Sequence, residues 1–166
     1  MFSEKFTPEI TCCFTGHRDI SRLQYMKIGK RVETEILKLY ERGVRRFIAG
    51  GALGFDMICS VVTHNLRAVR PDICLTLALP CRDHTSNWKA IDRAQMNTLI
   101  RNADEVVYVS EKYDTGCMFR RNRYMVERSA FCISYCVRRS GGSYYTVGFA
   151  KKRGLEVIEI SGGSHI

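Results

Sequence analysis

RFIAGGALGFD, residues 46–56, reads as a strand, a glycine turn and the opening of a helix in one unbroken run. RFIAG is short and apolar, the pattern of a strand covered on both faces. GGALGFD then supplies glycines, which take positive φ without steric penalty. Residues 56–69 follow with Ile58, Val61, Val62 and Leu66 at helical spacing, and Pro71 stops them. The same alternation extends in both directions. Strand-like runs occupy 11–15 (TCCFT), 74–79 (CLTLAL), 105–110 (EVVYVS), 131–137 (FCISYCV) and 155–160 (LEVIEI). Helical stretches occupy 22–42, 88–102, 121–129 and 144–153. The first of these repeats its apolar residues at Val32, Ile36, Leu39 and Tyr40, with Gly43 as a natural stop.

Strands alternating with helices imply βαβ units joined by right-handed crossovers. The expected fold is therefore α/β: a single-domain, three-layer Rossmann-like fold with a mostly parallel six-stranded sheet. It is expected to span 1–160, with 161–166 (SGGSHI) as a loose tail. A strand order of 3-2-1-4-5-6 would put a ligand crevice between the first and fourth strands.

Composition bounds the function. The 166 residues are 45% hydrophobic and 26% charged, with 13 Gly and 3 Pro, which excludes collagen-like and low-complexity chains. A chain of this size buries roughly 70% of its unfolded surface and needs no staples. No apolar run reaches the roughly 18 residues that span a bilayer, so no membrane partner is expected. The residues Met1 to Glu9 hold no apolar signal-peptide core, and the expected compartment is the cytoplasm. The 8 cysteines form no C-x-x-C, and Cys12, Cys13, Cys74, Cys132 and Cys136 sit in apolar runs. They read as reduced, structural thiols, and no metal site is expected. Net charge is +9, and residues 111–166 contribute 10 basic against 5 acidic groups. That excess points to anionic partners or to a solvated surface.

The unusual residues follow the strands, at the rim where α/β sheets hold ligands. Gly16-His17-Arg18 follows the first strand. Arg18 suits bidentate pairing with phosphate or carboxylate, and His17 suits hydrogen bonding or acid–base work near neutral pH. The alternative is a plain ion pair of Arg18 with Asp19 or another acid. GGALGFD, with Gly50, Gly51, Gly54 and Asp56, offers close backbone approach and helix N–H groups to a phosphate or ribose. It also suits a tight turn with Asp56 at the helix start. It is neither G-x-G-x-x-G nor a P-loop. Arg120, Arg121 and Asn122 open the helix after the fourth strand. Gly141, Gly142 and Ser143, with Thr146 just beyond, repeat the glycine turn after the fifth. Trp88 and Tyr113 are candidate faces for stacking on a base, or core residues.

Together FTGHR (14–18), GGALGFD (50–56), the stretch from Cys81 to Trp88, RNRYMVERS (121–129) and GGSYYTVGFAKKRG (141–154) resemble the SLOG superfamily. More narrowly they resemble the YpsA-like branch, bacterial proteins of unknown function that carry a TGHR motif. The resemblance covers nearly the whole chain. It implies a Rossmann-like fold and a pocket for a nucleotide-derived ligand of the ADP-ribose or NAD type, with no cofactor firmly implied. The superfamily includes LOG-type phosphoribohydrolases, once called lysine decarboxylase-like. Met118-Phe119-Arg120-Arg121-Asn122 resembles their M-x-x-R-K segment, with Arg121 on the catalytic Arg. Their PGGxGTxxE is matched only in part: Ser140 replaces Pro, Gly141 and Gly142 fit, and the Glu position falls near Val147 or Gly148. Relative to its branch, Ser143 stands where Thr is usual and Gly148 where an aromatic is common. LOG-like relatives self-associate, which implies a homodimer. DprA-type members bind DNA, which keeps a nucleic-acid partner as an alternative.

The leading expectation is binding or sensing of a small nucleotide-derived ligand. The alternatives are an N-glycosidic or phosphate hydrolase using His17, Asp56 and Arg121, and a nucleic-acid binder. The hydrolase lacks the late Glu that would activate water or stabilise a cationic sugar centre.

Overall fold

The computed structural model describes residues 5–160; the 161–166 tail lies outside them, as does the start of the Met1–Glu9 segment. After a short 3₁₀ turn at Pro8–Ile10, the chain runs β1 (Thr11–Gly16), α1 (Arg22–Glu41), β2 (Arg46–Ala49), α2 (Phe55–Leu66), β3 (Cys74–Leu79) and α3 (Ala90–Asn102). It continues with β4 (Glu105–Tyr108), α4 (Cys117–Glu127), β5 (Phe131–Tyr135), α5 (Gly142–Lys152) and β6 (Glu156–Glu159). All six strands are parallel, as βαβ alternation requires.

The order across the sheet is β4-β3-β2-β1-β5-β6, which corrects the expected 3-2-1-4-5-6. Here β4 pairs with β3, Leu77 opposite Val106, while β5 takes the place beside β1, Cys13 opposite Cys132. The cause lies in burial. All four residues of β4 are half-exposed, which suits an edge, whereas Cys132, Ile133 and Ser134 of β5 are fully buried. The chain therefore reverses direction after β4, and α4 crosses the sheet to reach β5.

Two helical layers cover the sheet. Alternate residues of a strand point to opposite faces. Phe14, Phe47, Leu75, Leu77 and Ile133 join α1, α2 and α3 on one face through Val32, Ile36, Ile58 and Met96. Cys13, Ile48, Ala78 and Cys132 meet α4 and α5 on the other through Met125, Val126 and Ala150. Fully burying a side chain of Phe or Leu size contributes about 1.5–3 kcal/mol. Seven of the eight cysteines are buried and all are reduced.

The boundary of α4 shifts one motif. The helix starts at Cys117, four residues before its expected start. Asp114 sets this: its Oδ1 accepts the Gly116 N–H at 2.8 Å and its Oδ2 pairs with Arg120 at 2.5 Å. Arg121 and Asn122 therefore lie in the second turn rather than at the helix opening.

Candidate functional site

The switch in strand order leaves a crevice between the carboxyl ends of β1 and β5. A cavity of about 350 Å³ opens there, lined by Gly16, His17, Arg18 and Asp19 after β1, by Asp56 of α2, and by Met118, Arg121 and Asn122 of α4. Arg138, Ser140, Gly141, Gly142 and Ser143, between β5 and α5, complete it. His17 and Arg18 after β1 therefore meet Arg121 and Asn122 of α4, although β4 is remote. Helix α4 carries its residues back across the sheet.

His17 ties this rim together. Its backbone N–H donates to the Tyr135 carbonyl at 3.1 Å, and its carbonyl accepts the Phe55 N–H at 3.0 Å. Its Nε2 accepts the backbone N–H groups of Val137 at 2.8 Å and Arg138 at 3.3 Å. A nitrogen that accepts carries no proton, so the ring is neutral with its proton on Nδ1. Burial lowers its pKa, the Arg138 charge lowers it further, and Asp19 opposes them. The ring is thus a buttress for the β5–α5 loop.

Asp56 and Arg121 form the buried centre. Each is 5% exposed. Arg121 donates from Nη1 to the Gly50 carbonyl and from Nε to Asn122 Oδ1 at 2.7 Å, and its Nη2 lies 3.8 Å from Met118 Sδ. Asp56 Oδ2 accepts the Ala52 N–H at 3.4 Å. Burial pushes the Asp56 carboxyl up while the Arg121 charge pulls it down. Burial likewise lowers Arg121, with Asp56 opposing. Each charge opposes the other's desolvation, but burial prevails for both, leaving Asp56 raised and Arg121 lowered.

The two glycine turns differ. A Cβ on Gly50 would lie 2.7 Å from Arg121 Nη1 and 2.9 Å from Asp56 Oδ2. One on Gly54 (φ +77°) would strike the Arg18 carbonyl, and one on Gly51 (φ +72°) the Leu79 side chain. These glycines accommodate the protein's own packing and lie behind the cavity wall. Gly141 (φ +91°) and Gly142 line the cavity, and a Cβ on either would meet no described atom within 4 Å. The open backbone is therefore that of α5. Its helix start has no side-chain cap and no acidic residue in the first turn. Such an end presents unpaired N–H groups and partial positive charge.

The remaining predicted residues fall elsewhere. Thr146 is buried behind the turn, its hydroxyl donating to the Gly142 carbonyl at 2.8 Å. Trp88 packs on the core and edge-on to His84 at 5.3 Å. Tyr113 is an exposed residue of the β4–α4 loop. Neither aromatic lines the cavity. Arg138 and Asp19 were not foreseen as site residues; they pair across the mouth at 2.6 Å. The Arg138-Arg139 pair directly after a strand was the available signal. Arg18 has one described side-chain partner, Met118 Sδ at 4.0 Å, which leaves most of its donors open.

A larger cavity, about 910 Å³, lies at the opposite end of the strands. Its charges pair with acids at hand: Arg45 with Asp72 at 3.0 Å and Arg46 with Glu105 at 3.5 Å. The excess positive charge sits at the smaller cavity.

Fold and cavity together define a Rossmann-like domain with a polar, arginine-lined mouth at its topological switch point. The chain belongs to the YspA SLOG family, whose model matches residues 13–155. It is 30% identical over 141 residues to the UPF0398 protein BH1768 of Halalkalibacterium halodurans, covering 83% of this chain and 72% of that one. It is 22% identical over 139 residues to the UPF0398 protein YpsA of Bacillus subtilis, covering 82% and 76%. Among solved structures it resembles DNA processing protein A of Streptococcus pneumoniae, with a TM-score of 0.61 and 17% identity, over 90% of this chain and 49% of that one. This chain thus spans about half of that protein. DNA processing protein A of Helicobacter pylori, described in its single-stranded DNA binding mode, matches with a TM-score of 0.52 and 16% identity, over 91% and 75%. At these identities the likeness is one of fold. No described helix is long and apolar enough to cross a membrane.

Proposed function

We propose that the crevice binds a small nucleotide-derived anion of the ADP-ribose or NAD type. One observation carries this reading: the uncapped start of α5, with Gly141, Gly142 and Ser143 open, shares a cavity with Arg18, Arg121 and Arg138. Helix N–H groups and guanidinium forks both match phosphate oxygens in charge and geometry. The volume, about 350 Å³, is at the small end of the roughly 300–1,000 Å³ seen for ligand sites. It suits one nucleotide half better than a whole dinucleotide.

Binding is favoured over hydrolysis by the state of the lining carboxylates. Asp19 is committed to Arg138, and Asp56 lies buried beside Arg121 with the Ala52 N–H on its oxygen. The LOG-type Glu position falls at Val147, which is buried and apolar, or at Gly148. A nucleic-acid ligand has its own support, the DprA-like fold combined with a net charge of +9.

The test is thermal unfolding of the full chain with AMP, ADP-ribose, NAD and ribose 5-phosphate. A ligand at a hundred times its Kd adds about 2.7 kcal/mol, which for this size raises Tm by several degrees. Arg138→Ala is expected to remove most of that rise. No shift with any of the four would overturn the proposal. Release of free base would move the reading to the hydrolase, and oligonucleotide affinity falling steeply with salt would move it to nucleic acid.

A further inference from the structure

Two hydroxyl groups of the interior are left without work. Of the eight buried Ser and Thr side chains among the described residues, six donate to an oxygen of the protein at 2.7–3.4 Å: Thr11, Ser60, Thr63, Thr76, Ser129 and Thr146. Thr15 and Ser134 have no hydrogen-bond partner among the described residues. A polar group taken out of water without a partner is unfavourable, and buried hydroxyls are as a rule satisfied. At Thr15 the alternative is simple, because Val has the same β-branched shape and needs no partner.

The two residues are neighbours. Thr15 of β1 stands opposite Ser134 of β5. Cys13 and Cys132 lie two positions back on the same strands and pack under α4 and α5, so Thr15 and Ser134 face that layer too. Helix α5 runs back against the strands, which brings its start to their carboxyl ends, on the Thr15 side of Cys13. The two hydroxyls differ in access. Ser134 Oγ is closed off from solvent. Thr15 is 6% exposed, and what remains open belongs to the cavity that Arg121 and the Gly141-Gly142-Ser143 turn also line. Its hydroxyl is therefore unpartnered, more than nine-tenths buried, and turned to the crevice.

We infer that Thr15 is a binding residue at the floor of the crevice, its hydroxyl donating to a phosphoryl oxygen of the ligand. This rests on the proposal that the crevice takes a nucleotide-derived anion. A hydroxyl donating to a charged oxygen makes a shorter and stronger bond than one donating to a neutral acceptor. Its surroundings favour the phosphoryl group over a sugar. Helix N–H groups and guanidinium donors line the same cavity, and both call for an acceptor-rich ligand. The carboxylates that would receive sugar hydroxyls are engaged, Asp19 with Arg138 and Asp56 with the Ala52 N–H. Thr146, the other threonine near this turn, already donates to the Gly142 carbonyl. Thr15 is thus the side chain through which β1 itself, rather than a loop, reads the ligand.

The test measures the affinity of the full chain for AMP, ADP-ribose, NAD and ribose 5-phosphate by titration calorimetry, with the ligand-free Tm alongside. For each compound that binds, Thr15→Val is expected to weaken binding about tenfold or more, the loss of a hydrogen bond to a charged group. The ligand-free Tm stays level or rises, because no bond within the protein is removed. Thr15→Ser keeps the hydroxyl and retains most of the affinity. Ser134→Ala, closed off from the crevice, raises the ligand-free Tm and leaves binding unchanged. Adenosine, which has no phosphoryl group, binds the unaltered chain and Thr15→Val alike. Undiminished binding by Thr15→Val, an equal loss for adenosine, or a drop in its ligand-free Tm would each overturn the inference and leave the crevice reading in place. If none of the four compounds binds the unaltered chain, the crevice reading falls and the role of Thr15 with it.

Discussion

Nε2 of His17 accepts two backbone N–H groups, and that decides how this protein responds to acid. Protonation of the ring turns the acceptor into a donor and breaks both bonds. Burial and Arg138 hold the native pKa below the ordinary 6.5. His84, half-buried beside the Gly51 carbonyl, is lowered too, chiefly by desolvation. In both cases the unfolded chain takes up its proton first as pH falls. Their contribution is complete above about pH 6.5 and is lost as pH drops through the lowered native values. Urea midpoints measured from pH 7.5 to 5.5 are therefore expected to decline. His17→Asn, which can accept but not titrate, is expected to flatten part of that slope. An unchanged slope would assign the effect to His84 alone.

At the scale of elements, the α2 and α5 turns share a composition and differ in purpose. Gly16 and Gly54 let β1 and α2 pack: a Cβ on Gly16 would lie 2.5 Å from the Phe55 ring. Gly54→Ala is expected to cost about 1–3 kcal/mol through strained φ and the collision with Arg18, a drop of several degrees in Tm. Gly142→Ala meets nothing and is expected to leave Tm unchanged or slightly raised. If the α5 start holds the anion, the same change reduces the ligand-induced Tm rise. Calorimetry with and without AMP separates the two effects. Trp88 and Tyr113 show why motifs mislead at this scale. A lone aromatic reports that a ring is present, and only packing decides whether it faces the core, solvent or a cavity.

For the whole molecule, the sheet order sets where stability resides. β1 lies between β2 and β5 and is buried along its length, while β4 and β6 are edge strands, half-exposed or more. Native-state hydrogen exchange is expected to show β1 and β5 opening only with global unfolding, and β4 and β6 exchanging earlier. Equal protection of β4 and β1 would contradict the sheet order. The same order explains the site. α4 leaves an edge strand and crosses the sheet, so Arg121 reaches the Gly50 carbonyl although 71 residues separate them in the chain.

The number and type of the elements were legible in the residues alone, because apolar periodicity and Gly or Pro punctuation act over a few positions. The apolar run of β5 and the glycine turn before α5 are local facts of that kind. The rim location of His17, Arg18 and Gly142 was equally legible, since each lies in the connection that follows a strand. Strand order, the pairing of Arg138 with Asp19 and the closed packing of the first glycine turn were decided only by the tertiary structure. These depend on which distant segments burial brings together, and no short-range pattern carries that.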